Sequence, residues 1–217
     1  MRKIIFSLLC LLFAQSISAQ TRELNIFSYG EEAGENGVEG KFIINDASGN
    51  ILLTQNGDFI ENAIIRENGT CVSAELIVDG ENVSIYFDLT GKKILINKAG
   101  KQKSIKCTEE IFLNSTCLFI ALENIVPAGQ GQKRGFKLFN VFNSRIVSMS
   151  FTRRENSLIE INGNQVLAAE CVMKLTGLGA IFWPYEYRYW FDIEDFSFLK
   201  YSGPGNDKKI DIVEIVK

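Results

Sequence analysis

The 217-residue chain contains no histidine. That absence removes Ser-His-Asp and Cys-His catalysis, histidine general bases and nearly every transition-metal site, because each of these depends on an imidazole. An enzyme built on this chain would have to run on carboxylates, a lysine or a cysteine. No Cys-x-x-C spacing occurs, so neither a thioredoxin-like redox site nor a zinc knuckle has its ligands. Neither a metal nor any other cofactor is expected. A basic run is also missing, and with it the electrostatic footprint of a nucleic-acid partner. The most apolar interior stretch, 111–126, is interrupted by Asn114, Glu123 and Asn124, so no stable membrane span is expected.

What is present begins with a leader. Arg2 and Lys3 precede an apolar run from Ile4 to Phe13, and Ile17-Ser18-Ala19 follows. A basic region, a short apolar core and a small residue predict a secretory signal peptide over 1–19, cleaved after Ala19. Cys10 lies inside the apolar run behind Leu9, the wrong place for lipidation. The expectation is an exported, periplasmic or extracellular product, one domain over 20–217. Loss of Arg2 and Lys3 takes the 23 basic residues to 21 against 26 acidic ones. Cys71, Cys107, Cys117 and Cys171 remain, an even number that permits two disulfides in three connectivities. Buried free thiols are the equal alternative.

The acidic glycine-rich segment 30–40 carries Glu31, Glu32, Glu35 and Glu39 without the spacing of a calcium loop, and reads as a solvated connection. After it, short apolar runs at 41–45, 51–55, 58–66, 71–79, 82–89 and 92–97 are divided by Asn-Gly, Asp-Gly and related turn signals. Such dipeptides populate the positive φ of tight hairpins, so this half reads as an antiparallel meander. Val83, Ile85 and Phe87 alternate with Ser84, Tyr86 and Asp88, one face dry and the other wet.

The pattern breaks once, at 108–126. Thr108 followed by Glu109 and Glu110 reads as a capped helix start, and apolar residues including Phe112 and Phe119 cover most of the circumference. One buried helix is therefore predicted, ended by Pro127 and Gly129. Strands resume at 136–142, 145–153, 165–176, 195–201 and 209–216. The fold class is mainly β, a curved antiparallel sheet or half-barrel of about ten to fourteen strands around that helix.

The most unusual segment is 180–204, which holds both tryptophans. By the period of a strand, Tyr185, Tyr187, Tyr189 and Phe191 face one way and Glu186, Arg188, Trp190 and Asp192 the other. Three readings follow. The first face is ordinary core packed on the helix. It is also a ligand surface, in which Tyr185, Tyr187, Tyr189 and Phe191 with Phe119 and Phe112 hold a lipid or other apolar small molecule. On the second face, Trp190 with Arg188 has the chemistry of a protein interface. Asp192, Glu194 and Asp195 near the strand end raise a carboxylate-based hydrolase as a further alternative, although a charged hairpin end is the preferred account of them.

Asn162-Gly163-Asn164, Cys171-Val172-Met173-Lys174-Leu175, Trp183-Pro184, Phe191-Asp192 and Lys200-Tyr201-Ser202-Gly203 resemble, within 108–205, an uncharacterised family of exported bacterial domains of unknown function. That family is similar in architecture to the periplasmic lipoprotein carriers, a curved antiparallel sheet with helical cover and an apolar interior. The resemblance implies fold and compartment and supplies no catalytic residues. The function expected is a non-catalytic cell-envelope protein that binds an apolar or amphipathic ligand, with an envelope protein–protein interaction or scaffolding module as the alternative.

Overall fold

The computed structural model describes residues 21–30, 37–45, 48–55, 57–78, 80–205 and 209–216. The leader, and Glu31, Glu32 and Glu35 of the acidic segment, lie outside the described residues. The first half runs as a ladder of hairpins: β1 (Thr21–Gly30), β2 (Val38–Asn45), β3 (Asn50–Gln55), β4 (Asp58–Ile65), β5 (Cys71–Val78), β6 (Glu81–Asp88), β7 (Lys93–Lys98) and β8 (Lys101–Lys106). The second contains β9 (Phe112–Asn114), β10 (Lys133–Asn140), β11 (Arg145–Ile161), β12 (Asn164–Leu175), β13 (Tyr187–Asp192), β14 (Phe198–Pro204) and β15 (Ile210–Val216).

Among the described residues fifteen strands form a single curved sheet in the order β8 to β1, then β15 down to β9, not closed into a barrel. Every pairing is antiparallel except that of β9 with β10. The first and last strands thus meet in the middle of the sheet, where Asn25 to Gly30 of β1 oppose Val216 to Asp211 of β15. The two free edges, β8 and β9, are consecutive in the chain. The link between them, 107–111, ties both back to the sheet: Cys107 N donates to Lys92 O and Cys71 N to Ile111 O.

The alternation in β5, β6 and β7 produces the expected two faces. Ala74, Leu76 and Val78, Val83, Ile85 and Phe87, and Ile94 and Ile96 are buried on the concave side. The hairpin between β11 and β12 turns on Asn162 (φ 50°) and Gly163 (φ 74°), both left-handed as a type I′ turn requires.

Three elements depart from expectation. The helix predicted over 108–126 is present only in its second half, as α1 (Leu118–Ala121) continued by a 3-10 turn, Leu122–Ile125. Thr108 caps nothing. Phe112 and Leu113 instead find ladder partners in Leu138 and Phe139, and the Asn-Ser-Thr run at 114–116, weak in helices, makes a turn. Apolar residues on every side signalled burial correctly but carried no period to separate strand from helix. β8 went unforeseen because KQKSIK has no apolar alternation; its lysines suit an edge strand that must not pair with another chain. β11 runs on to Ile161 through the polar 154–157 by means of a bulge between Arg153 and Asn156.

Candidate ligand site on the concave face

The concave face at β11, β13 and β14 is built of rings. Tyr189 and Phe191 alternate on β13, Phe151 lies across from them, and Tyr201 is the direct cross-strand partner of Tyr189. A bulge between Trp190 and Phe191 brings Phe198 opposite Phe191. Phe119 of α1 sits at the centre, stacked on Phe198 at 5.1 Å between centroids and 8° between planes, 5.0 Å from Tyr201 and 6.3 Å from Tyr189. Phe42 of β2 meets the same ring edge-on. Rings at these separations are in contact, so in this conformation Phe119 fills the interior.

The six expected ligand residues are therefore distributed unevenly. Tyr189, Phe191 and Phe119 form one contiguous cluster. Phe112 is buried elsewhere, against Phe136 at 4.8 Å. Tyr187 is half-buried at the edge of the cluster, its hydroxyl accepting a bond from Trp183 Nε1 at 2.7 Å. Tyr185 precedes β13, which starts at Tyr187, and packs on Trp183 at 4.8 Å. Tyr201 and Phe198 belong to the cluster and were not singled out from sequence. The signal was their position in the strand expected to pair with the aromatic one.

Tyr187, Tyr189 and Tyr201 bring three hydroxyls to one end of this face. Gly203 makes room for two of the rings: a Cβ there would lie 2.5 Å from Tyr201 Oη and 2.9 Å from Tyr187 Cδ1. Burial raises all three phenol pKa values, and for Tyr189 and Tyr201 the neighbouring phenols push further in the same direction. The hydroxyls thus stay protonated donors at any physiological pH.

The 118–125 segment is held in place by charged groups. Glu61, buried on β4, accepts from Ser115 Oγ at 2.7 Å and Thr116 N at 3.0 Å, with Cys117 N at 3.4 Å, so it closes the turn ahead of α1. Glu123 accepts from Phe198 N at 2.7 Å and pairs with Arg22. Arg153 donates to Pro127 O and Ala128 O at 3.2 and 2.8 Å and lies 5.1 Å from the Phe196 ring. Beside its exposed neighbour Arg154, Arg153 looks from sequence like part of a solvated basic pair. It is instead a buried anchor, because Phe151 and Arg153 share the core face of β11.

Burial pushes the Glu123 carboxyl above its ordinary value, with Arg22 and Phe198 N opposing. A raised carboxyl pKa means the folded state binds more protons than the unfolded one, so this group's contribution falls as pH rises from its unfolded value through the raised folded value. Glu123→Gln should accordingly gain stability relative to wild type between pH 4.5 and 7. Urea denaturation at both pH values checks this, and a constant difference would refute it.

The interface pair stands on the opposite, convex side. Arg188 is exposed and bridges Glu170 at 3.6 Å and Glu186 at 3.5 Å. Trp190 is only half-exposed; its Nε1 donates to Ser157 Oγ at 3.1 Å and its ring packs against the core. The carboxylates proposed for hydrolysis serve the β13–β14 hairpin: Asp192 accepts from Glu194 N and Asp195 from Ser197 N, at 2.7 and 2.8 Å. That bond holds the Asp195 pKa below normal, the reverse of a general acid. Cys71, Cys107, Cys117 and Cys171 are all buried free thiols, not disulfides. Burial pushes Cys171 up to about 12 and raises Cys71 and Cys117 as well, so none of these three is a ready nucleophile. Among the described residues no cluster of His, Cys, Asp and Glu could hold a metal ion, and no helix is long and apolar enough to cross a membrane.

No family model and no curated protein matches the chain. Solved structures do. A β-barrel-like protein of the domain of unknown function DUF1849 from Brucella abortus superposes with a TM-score of 0.55 at 10% identity, over 92% of this chain and 97% of that one. The chain is similar in fold to that β-barrel-like domain. Two further structures align over most of their length at low similarity. They are the hypothetical lipoprotein YmcC from Escherichia coli (TM-score 0.34, 11% identity, 100% and 98% covered) and a LolA superfamily protein, NE2245, from Nitrosomonas europaea (0.25, 10%, 92% and 86%).

Proposed function

We propose that this is a non-catalytic, exported cell-envelope protein that holds an amphipathic ligand, such as a lipid, on the concave face of its sheet. One observation carries the reading: the aromatic face ends in three tyrosine hydroxyls and is covered by a single helical turn, not by a long helix. In the closed state Phe119 occupies the space between that turn and the aromatic strand. An acyl chain would take its place as the 118–125 plug moves aside, and the hydroxyls of Tyr187, Tyr189 and Tyr201 would meet the polar end. Apolar walls with a few convergent polar groups are the usual form of a small-molecule site. The buried, raised-pKa thiols and the turn-bound carboxylates supply no catalytic group, which favours binding over hydrolysis.

Native mass spectrometry of the mature protein from its own envelope, before and after organic extraction, tests this. An extractable adduct of discrete mass is expected. A bare polypeptide mass from folded protein that also fails to take up 1-N-phenylnaphthylamine would mean the rings are only core. Tyr187→Phe combined with Tyr201→Phe should weaken retention about fivefold for each hydrogen bond lost, about 1 kcal/mol apiece, without changing the fold.

A further inference from the structure

The convex face of β4–β8 carries a second feature that the concave site does not use. Pairing sets two cross-strand rows side by side on this face. One runs Ile64, Ser73, Tyr86, Leu95 and Ser104; the next runs Asn62, Glu75, Ser84, Asn97 and Gln102. Ser104 apart, these residues line a groove of about 420 Å³, with Lys103 at its β8 end. Its floor is apolar and open: Tyr86 is 51% exposed, Ile64 39% and Leu95 38%. Among the described residues the exposed Glu75, Ser84, Asn97 and Gln102 form no side-chain hydrogen bond or ion pair.

We propose that this groove binds a linear, neutral oligosaccharide. The chemistry is specific in two respects. A sugar ring offers a face of C–H groups that packs on an exposed aromatic platform, which Tyr86 provides at the centre of its row. Its hydroxyls both donate and accept, and so match the amides, hydroxyl and carboxylate standing one strand apart along the adjacent row. The rows run across five strands at the ~4.8 Å strand spacing, about 19 Å from β4 to β8, which gives room for several sugar units in line. The site is separate from the concave one and does not depend on it.

Isothermal titration of the mature protein with β-1,4-linked glucose, β-1,4-linked N-acetylglucosamine and α-1,4-linked glucose hexasaccharides tests the assignment. Saturable binding of at least one is expected. Tyr86→Ala should weaken it about tenfold or more, and Asn97→Ala or Gln102→Ala severalfold, with thermal unfolding midpoints unchanged because these side chains are exposed. Retention of 1-N-phenylnaphthylamine should be the same in Tyr86→Ala as in wild type, which keeps failure here distinct from failure of the concave-face reading. Absence of binding by all three sugars, or binding indifferent to Tyr86→Ala, overturns the proposal.

Discussion

Phe119→Ala is expected to cost about 3–5 kcal/mol of folding stability, the range for truncating a buried phenylalanine. The ring is 9% exposed and touches Phe42, Tyr189, Phe198 and Tyr201, which come from three different strands. Its removal therefore takes away both transfer free energy and the contact that joins α1 to β2, β13 and β14. Urea denaturation should show a lower midpoint with an unchanged slope. If the concave face is a ligand site closed by this ring, the variant should also bind 1-N-phenylnaphthylamine more readily than wild type. A stability loss below about 1 kcal/mol would mean that neighbouring rings collapse into the space and that Phe119 is not what closes the interior.

Glu61→Ala is expected to be comparably severe, about 3–5 kcal/mol, because the carboxylate is 2% exposed and its loss strands several donors ahead of α1. Glu61→Gln should cost less, since an amide oxygen still accepts from Thr116 N or Ser115 Oγ. The effect should also be local. Cys117, buried beside Glu61 in the same turn, becomes accessible when the plug opens, so its labelling by a disulfide reagent under native conditions reports that opening. Glu61→Ala should label faster at Cys117 than at Cys171, which lies on β12 away from the plug. Equal acceleration at both thiols would indicate global unfolding and would refute a locally mobile plug.

These expectations separate what the concave face does from how it is closed. The walls are strands held in a continuous ladder, so they stay put. The cover is four α-helical residues and a 3-10 turn, fixed by two carboxylates and two guanidiniums. An element so short has little helical stability of its own and depends on its packing. That is the physical reason to expect any opening of this face at 118–125.

The sequence by itself determined most of the strands, though not β8 or β9. Period-2 alternation in β5, β6, β11 and β13, punctuated by Asn-Gly and Asp-Gly, needs no tertiary information, because a half-buried strand imposes it residue by residue. It also determined which faces are dry, and that Tyr189 and Phe191 look inward while Arg188 looks out. Only the tertiary structure decided the remainder. Whether 108–126 is helix or strand rested on β10, a partner more than twenty residues away that accepts Phe112 and Leu113 into its ladder. The burial of Glu61 and Arg153 depended on which backbone ends they would face, and no local pattern marks a charge destined to be paired. The groove around Tyr86 is set by register, since four strands had to align before Asn62, Ser84 and Asn97 could stand in one row. Alternation fixes a residue's face from its own neighbours in the chain, whereas a site is made of neighbours in space, and those are chosen by the pairing of strands.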